Sequence, residues 1–200
     1  MQKNCIILAS GNGSNALNLI GKFYGCKNSG SNSINIVAVV SNVPNAPVVE
    51  KVRKNKPELP VFVIPFTHLS ERDRFECELY DIIGKYDIDF IILAGFMRIL
   101  SKEFVSKFSH KIINIHPSLL PAFKGRDSIK RAYGYGVKYT GVTVHYVTPE
   151  VDSGEIIYQE VVKIEDTDDI DSLEAKVHSI EHKIYPIALK SIIGDTVYKS

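Results

Sequence analysis

The hydrophobic and polar positions of the chain fall into two patterns, short apolar runs and longer amphipathic segments. Apolar runs occupy residues 5–9, 34–40, 61–64, 90–94 and 111–115, and each is nearly continuous. Continuous runs of this length are typical of strands covered on both faces. The amphipathic segments at residues 15–23, 46–55, 72–85 and 101–108 predict helices. Strands alternating with helices predict an α/β fold, with an open, mostly parallel twisted sheet and helices on both faces.

The pattern changes in the last third of the chain. Residues 141–147 and 155–164 are two strand-like runs joined by a short turn, which predicts an antiparallel hairpin that extends the sheet. Apolar residues then recur at helical spacing from Leu173 to Ile187, which predicts a long helix over residues 169–192. Acidic residues at 168–171 predict its cap and acidic first turn, and Pro186 is expected to kink or divide it. The stretch NSGSNS, residues 28–33, predicts a flexible loop.

Composition adds a broad class to this picture. The 200 residues suit one domain, and 44% hydrophobic and 24% charged residues are ordinary for a soluble globular protein. A net charge of +1 without a long basic block predicts no nucleic-acid partner. The most hydrophobic segment, FIILAGFMRIL, is interrupted by Arg98 and is too short to predict a membrane span. Three widely spaced cysteines without a CxxC pattern favour a reducing compartment, so a cytoplasmic protein is expected.

A glycine-rich turn follows the first strand, in the stretch CIILASGNGSNALNLI. Backbone N–H groups at the start of the next helix favour an anion there. Gly11, Gly13 and Ala16 match a dinucleotide-binding fingerprint, but the second strand ends in Ser41 and Asn42 without the carboxylate that would hold a ribose diol. The turn therefore favours a single phosphate on a smaller ligand, with a plain tight turn as the alternative.

A second polar feature stands at the end of the fifth strand, in INIHPSLLPAFKG. Asn114 and His116 are two residues apart and should share a face of the strand, while Pro117 restricts the backbone of His116. Ligands of open α/β sheets bind beyond the carboxyl ends of the strands. An amide can donate to an oxyanion and an imidazole can transfer a proton, so the pair is a catalytic candidate. A satisfied structural histidine is the alternative. In the loop that follows, Pro117 and Pro121 are expected to stiffen the chain and Gly125 to let it turn. Leu119 and Leu120 are expected to hold the loop against the core.

Five motifs, in the same order and over almost the whole chain, resemble those of the phosphoribosylglycinamide formyltransferase family: ASGNGSN, AGFMRIL, INIHPSLLP, TGVTVHYVTPEVDSGEII and IEHKIYP. The resemblance implies a single formyltransferase domain over residues 1–200. Its N-terminal half would bind the nucleotide phosphate, and its C-terminal half would carry the folate and catalytic site. The implied reaction is direct transfer of the formyl group of 10-formyltetrahydrofolate to the amine of glycinamide ribonucleotide in de novo purine biosynthesis, without a metal.

The resemblance also implies residue roles. Asn114 is similar to the oxyanion donor of the family, and His116 to the residue that transfers a proton. Asp152, in the VDSGE turn, is similar to the carboxylate that orients the histidine and favours its charged form. Without the resemblance, the preferred interpretation of Asp152 before Ser-Gly is a turn-forming residue.

Substrate contacts follow from the same motifs. Gly13, Ser14 and Asn15 are expected to bind the ribonucleotide phosphate, and Glu181 to contact the ribonucleotide, unless it is a solvated glutamate. Arg72 is expected to pair with the folate tail carboxylate, unless it is a surface residue of its charge-rich helix. An apolar slot for the pterin ring is expected from Met97, Arg98, Ile99, Leu100, Val147, Thr148, Pro149, Glu150 and Val151. One departure stands out: the family's histidine near Ile129 is missing from GRDSIKR.

Three other functions fit parts of this pattern. Methionyl-tRNA formyltransferase shares the Asn-x-His core and the aspartate but has a further C-terminal domain for tRNA, which the length and near-neutral charge of this chain do not suggest. Formyltetrahydrofolate deformylase uses similar residues with water as the nucleophile, and its members usually carry an extra N-terminal domain. A non-catalytic folate- or nucleotide-binding module would not need the histidine and aspartate.

Overall fold

The computed structural model describes residues 2–25 and 33–193, and the strands in these ranges form one sheet with the order β3-β2-β1-β4-β5-β6-β7. The first five strands of this order run parallel, while β6 is antiparallel to both β5 and β7. The predicted mostly parallel sheet with an antiparallel hairpin is confirmed. The strands are β1 (Gln2–Ala9), β2 (Ser33–Ser41), β3 (Val61–Val63), β4 (Phe90–Leu93), β5 (Ile112–His116), β6 (Tyr139–Tyr146) and β7 (Ile156–Lys163). Of the predicted loop at 28–33, only Ser33 lies within the described residues, and it begins β2.

Helices cover both faces of the sheet, as the apolar strands predict. Four of them pack on one face and two, α3 and α4, on the other. The helices are α1 (Ser14–Phe23), α2 (Pro47–Asn55), α3 (Arg72–Tyr86), α4 (Lys102–Lys107), α5 (Ser128–Tyr135) and α6 (Ile170–Ile193). The sequence did not predict α5, because it buries little more than Ile129 and Ala132 and ends at a glycine. A short 3-10 turn, Leu69–Glu71, was also not predicted.

Strand β1 shows why its apolar run is continuous. Cys5 and Ile7 face the core under α1, α2 and α6, whereas Ile6 and Leu8 face the core under α3 and α4. All four side chains are fully buried. Each large side chain contributes roughly 1.5–3 kcal/mol by burial, so both faces of the central strand stabilise the fold.

Helix α6 runs unbroken through Pro186, so the expectation that this proline divides it is wrong. A proline has no N–H for the carbonyl four residues earlier, that of His182. Asn18 on α1 supplies the missing donor, with its Nδ2 2.8 Å from the His182 carbonyl oxygen. The predicted cap is confirmed, since the N–H of Ser172 donates to Oδ1 of Asp169 at 2.8 Å.

The sheet has a switch point between β1 and β4, where the chain order reverses. Ser10, just after β1, donates its N–H to the carbonyl of Gly95, just after β4, at 3.1 Å. Ligands of open α/β sheets bind in such a crevice at the carboxyl ends of the strands. Within the described ranges, no helix is both long enough and apolar enough to cross a membrane.

Candidate active site

Strand β5 brings Asn114 and His116 to one cavity of about 570 Å³ at the carboxyl end of the sheet. The two side chains share a face because they are two residues apart on an extended strand, as predicted. Asp152, from the turn between β6 and β7, lines the same cavity. The structure therefore brings together the three residues that the motifs selected as catalytic.

His116 lies between two acceptors. Its Nδ1 is 3.4 Å from Oδ2 of Asp152, and its Nε2 is 3.0 Å from the carbonyl oxygen of Phe123. A neutral imidazole can donate from only one ring nitrogen, whereas an imidazolium donates from both. His116 therefore has an oxygen atom close to each of its ring nitrogens.

The backbone around Asp152 explains how the carboxylate reaches the histidine. Asp152 has a φ of 48°, in the left-handed region that Asp tolerates better than most residues. Its Oδ2 also accepts the backbone N–H of Gly125 at 2.8 Å. A Cβ on Gly154 would lie 1.7 Å from the carbonyl oxygen of Tyr146, so only glycine lets this turn fold back over the end of β6. The side chain of Asp152 is 11% exposed, and its position is determined by these contacts.

A fourth polar side chain, His145 on β6, completes the cluster. Its Nε2 is 3.2 Å from Nδ2 of Asn114, and its Nδ1 is 2.9 Å from the carbonyl oxygen of Tyr146. The carbonyl requires an N–H at Nδ1, so Nε2 accepts from the asparagine amide. Burial lowers the pKa of His145, which agrees with this neutral form. The amide of Asn114 is therefore oriented with its nitrogen toward the histidine.

His145 was not among the candidates from the sequence, although it stands in the motif TGVTVHYVTPEVDSGEII. It faces Asn114 because β5 and β6 pair in antiparallel register, with Asn114 opposite His145. Directly opposite residues of an antiparallel pair project to the same side. A histidine within an apolar strand was the available signal, but only the register shows its partner.

The loop after β5 is held as the sequence predicts. Leu120 is buried and its N–H donates to Oγ1 of Thr143 at 3.1 Å. A Cβ on Gly141 would lie 2.5 Å from Cδ2 of Leu119, so this leucine packs directly on the β6 backbone. Gly125 turns the chain toward Asp152.

Most of the predicted folate residues line the cavity, in two segments. Residues 97–100, here the MRIL segment, follow β4, and residues 147–151 follow β6. Met97 and Ile99 are largely exposed apolar side chains at the edge of this cavity. Arg72 is not among the lining residues; it begins α3, with its Nε 3.7 Å from Oδ1 of Asp73.

The glycine turn lies outside this cavity, next to α2. Gly13 has a φ of 75°, and a Cβ there would lie 2.3 Å from Cγ2 of Val48, so the position requires glycine. No side chain caps the start of α1, which leaves the N–H groups of its first turn available to an anion. Ser14 is exposed, whereas Asn15 is buried.

Glu181 connects α6 to this turn. Its side chain is nearly fully buried, and its Oε2 accepts Nδ2 of Asn15 at 2.9 Å and Nδ1 of His178 at 2.8 Å. The reading of Glu181 as a solvated residue is therefore wrong. The hydrogen bond to Glu181 raises the pKa of His178, so the imidazole can carry a charge beside the carboxylate.

Two further observations concern the position of the missing family histidine and the groups that could hold a metal. Ile129, at the place of the missing family histidine, is buried in the core and borders the cavity. Within the described ranges, no group of three or more His, Cys, Asp or Glu side chains has the arrangement of a metal site.

Comparison with known proteins decides the family. Residues 3–189 match the formyl transferase family model. The chain belongs to the formyl transferase family. The resemblance drawn from the sequence motifs is confirmed, and the fold agrees with it. The fold of this family accounts for the order of the strands in the sheet and for the position of the polar residues at the end of β5.

Individual formyl transferases are similar over most of this chain. Phosphoribosylglycinamide formyltransferase of Bacillus subtilis is 34% identical over 192 residues, which cover 96% of this chain and 95% of that protein. The crystal structure of phosphoribosylglycinamide formyltransferase from Anaplasma phagocytophilum is 37% identical, with a TM-score of 0.85 over 98% of this chain and 89% of that one.

Longer proteins also contain a similar segment. The human trifunctional purine biosynthetic protein adenosine-3 is 39% identical over 191 residues, or 96% of this chain. The chain spans 18% of that protein's length. The similarity therefore concerns one part of a larger polypeptide.

Proposed function

We propose that this formyl transferase moves the formyl group of 10-formyltetrahydrofolate to the amine of glycinamide ribonucleotide, giving formylglycinamide ribonucleotide and tetrahydrofolate in de novo purine biosynthesis. The observation that carries the proposal is the convergence of Asn114, His116 and Asp152 on one cavity. Similar proteins named for this reaction, matched over nearly the whole chain, support it.

The reaction begins when the substrate amine attacks the formyl carbon, which forms a C–N bond and turns the formyl oxygen into an oxyanion. Nδ2 of Asn114 carries two hydrogens, of which one points to Nε2 of His145. The other hydrogen is free to donate to the oxyanion. An oxyanion donor that is already oriented needs no rearrangement in the transition state, which is why such donors lower the barrier.

Collapse of this intermediate breaks the bond between the carbon and N10 of the folate, and N10 takes up a proton. His116 supplies that proton, and the proton that the attacking amine loses restores the imidazolium by way of solvent, so a complete turnover is neutral in protons. Asp152 stabilises the imidazolium from the Nδ1 side. The opposite nitrogen, Nε2, donates to the carbonyl of Phe123, and the reacting nitrogen replaces that carbonyl as the acceptor.

The ribonucleotide phosphate is assigned to Gly13, Ser14 and Asn15, because the uncapped start of α1 offers N–H groups and a favourable dipole. Glu181 is assigned to the ribose, since a carboxylate accepts hydrogen bonds from hydroxyl groups. Its hydrogen bond with Asn15 supports the assignment of both residues to the same ligand.

The folate is assigned to the MRIL segment and to residues 147–151, which line the cavity from two sides. Apolar walls with a few polar groups suit a flat heteroaromatic ring. Arg72, which begins α3 and lies outside the cavity lining, is assigned to the tail carboxylate, because guanidinium groups pair well with carboxylates.

Purified protein with 10-formyltetrahydrofolate and glycinamide ribonucleotide tests the proposal. We expect stoichiometric formation of formylglycinamide ribonucleotide and tetrahydrofolate. Equal folate turnover without the ribonucleotide would identify a deformylase, in which water replaces the amine. Formylation of methionyl-tRNA in place of the ribonucleotide would identify a tRNA-directed enzyme.

A further inference from the structure

Glu76 is a buried carboxylate that the proposed chemistry does not use. It lies on α3, its residue is 7% exposed, and both of its oxygens are occupied by one partner. The backbone N–H of Ser101 donates to Oε1 at 2.6 Å, and Oγ of Ser101 donates to Oε2 at 2.6 Å. A buried carboxylate with two short hydrogen bonds is a strong restraint on the position of its partner.

The partner stands at the end of the MRIL segment. Ser101 directly follows Leu100, and its Oγ accepts the N–H of Phe104 at 3.0 Å as the N-cap of α4. Ser101 thus ends the cavity wall and begins the next helix. A shift of Ser101 would move both.

The other end of the MRIL segment is held in the same manner. The N–H of Met97 donates to Oγ of Ser10 at 2.8 Å, and this hydroxyl donates to Oδ1 of Asn42 at 2.6 Å. The segment is therefore fixed at both ends by side chains from other parts of the fold, while Met97 and Ile99 present apolar side chains at the cavity.

Helix α3 makes a second contact beside the MRIL segment, through Phe75, the residue that precedes Glu76. Phe75 stacks on Phe96 with ring centroids 5.6 Å apart and an interplanar angle of 23°, and it also packs on Phe66 at 5.3 Å. Aromatic pairs of this geometry are favourable beyond their buried area. The stacked rings hold α3 and the MRIL segment at a fixed distance. The carboxylate of Glu76 holds the end of the segment at a fixed position along the helix.

We propose that Glu76 is a positioning residue for the folate slot, which sets the path of the MRIL segment through Ser101 without touching either substrate. The inference rests on the proposed function, because the occupant of the slot is taken from it. A carboxylate is required since two donors converge on it, and each of its oxygens accepts. A glutamine would offer one acceptor oxygen and an NH₂ donor in place of the other.

The test is Glu76→Gln, measured by steady-state kinetics and by calorimetric binding of tetrahydrofolate. We expect the KM for 10-formyltetrahydrofolate and the Kd for tetrahydrofolate to rise about tenfold, as for loss of a charge-assisted hydrogen bond. The KM for the ribonucleotide should stay within about twofold, because the hydrogen bonds of Glu76 go to Ser101, whereas those of Glu181 go to Asn15 and His178.

Controls separate positioning from general stability. Glu78→Gln lies on the same helix, where its exposed carboxylate is 3.7 Å from Arg74, and should leave folate affinity unchanged. Ser101→Ala should raise the folate KM in the same direction. Combining it with Glu76→Gln should add less than the sum of the two effects, because both changes remove one contact. Glu76→Asp, which keeps the charge, should recover part of the affinity if the fold is retained.

Two results would overturn the proposal. One is a Glu76→Gln variant that melts at a lower temperature while both KM values stay normal, and the other is a proportional rise in both KM values. Either would make Glu76 a structural residue only. Failure of the proposed function is seen separately in the unsubstituted protein: tetrahydrofolate binding without formylation removes the reaction and leaves the folate slot testable by calorimetry. Absence of folate binding removes both.

Discussion

Asn114 and His145 lie opposite each other on antiparallel strands, with Nδ2 of the asparagine 3.2 Å from Nε2 of the histidine. The histidine is itself oriented by the Tyr146 carbonyl. A chain of two hydrogen bonds therefore aims the amide. The proposed oxyanion donor is oriented before any substrate binds, which is the condition for efficient electrostatic catalysis.

This relationship predicts the effects of two substitutions. Asn114→Ala should lower kcat about a hundredfold or more, as for the loss of one oxyanion donor. His145→Phe keeps a ring of similar size but removes the acceptor, so kcat should fall about tenfold through a misoriented amide. Stopped assays of formyl transfer measure both.

The double variant should be no slower than Asn114→Ala alone, because His145 acts through the amide. His110→Phe, at an exposed histidine outside the cavity, is the matched control. Full activity of Asn114→Ala would remove the asparagine from its proposed role.

Asp152→Asn tests the partner of His116. The amide cannot stabilise an imidazolium as a carboxylate does, so we expect kcat to fall by about a hundredfold or more, within the range of general acid–base catalysis. The KM for the ribonucleotide should change little, because its assigned contacts lie at the glycine turn. Asp166→Asn, at a fully exposed carboxylate, serves as the control. A large loss of ribonucleotide affinity with normal kcat would instead assign Asp152 to binding.

Gly13→Ala tests the glycine turn. The new Cβ would meet Val48 at 2.3 Å in a backbone with positive φ, so the turn must move. We expect the free energy of unfolding to fall by about 1–3 kcal/mol and the ribonucleotide KM to rise. Gly11→Ala is the stability control, since a Cβ there has no neighbour within 4 Å. Denaturant titration and kinetics with varied ribonucleotide give both quantities, and a raised folate KM alone would contradict the assignment.

The pH dependence of stability follows from two histidines of opposite sign. Burial lowers the pKa of His145 below the ordinary value of 6.5, so between these two values the unfolded chain binds the extra proton. Stability from His145 is therefore lost as the pH falls below 6.5 toward its lower folded pKa. The raised pKa of His178 acts oppositely: its contribution is complete below 6.5 and is lost as the pH rises through its folded pKa.

Urea unfolding of the original protein and of His145→Phe, compared at about pH 8 and about pH 5.5, isolates the first effect. The stability of the original protein relative to the variant should decrease at the lower pH. A difference that stays constant with pH would show that His145 is not held neutral in the folded state.

Much of the fold was accessible to sequence reasoning because its elements have strong periods. The predicted strands and most helices are found within a few residues of their expected bounds. Helix α5 was missed since Ile129 and Ala132 give it only a weak apolar face. The predicted division at Pro186 was wrong, and the donor that replaces its missing N–H, Asn18, is distant in sequence.

The residues of the site also divide into those that the sequence could select and those that only the structure brings together. Asn114 and His116 could be selected locally, because two residues on one strand share a face and the strand ends at a proline. Asp152 and Arg72 needed the family resemblance, and the pairing of Arg72 with the folate tail carboxylate stays a prediction. His145 and Glu76 were not selected, because the sequence does not show which distant residue a lone polar side chain will meet.

The amino-acid sequence by itself determined the order of the strands and of most helices, the glycine turn, the polar end of β5 and the family. These depend on neighbouring residues, whose periodicity and backbone preferences act locally. Tertiary structure alone decided which distant groups meet: His145 with Asn114 through strand register, Glu181 with Asn15 through helix packing, and Glu76 with Ser101 through the position of α3. Hydrogen bonds act over about 3 Å, so their partners are known only when the chain has been brought together in space.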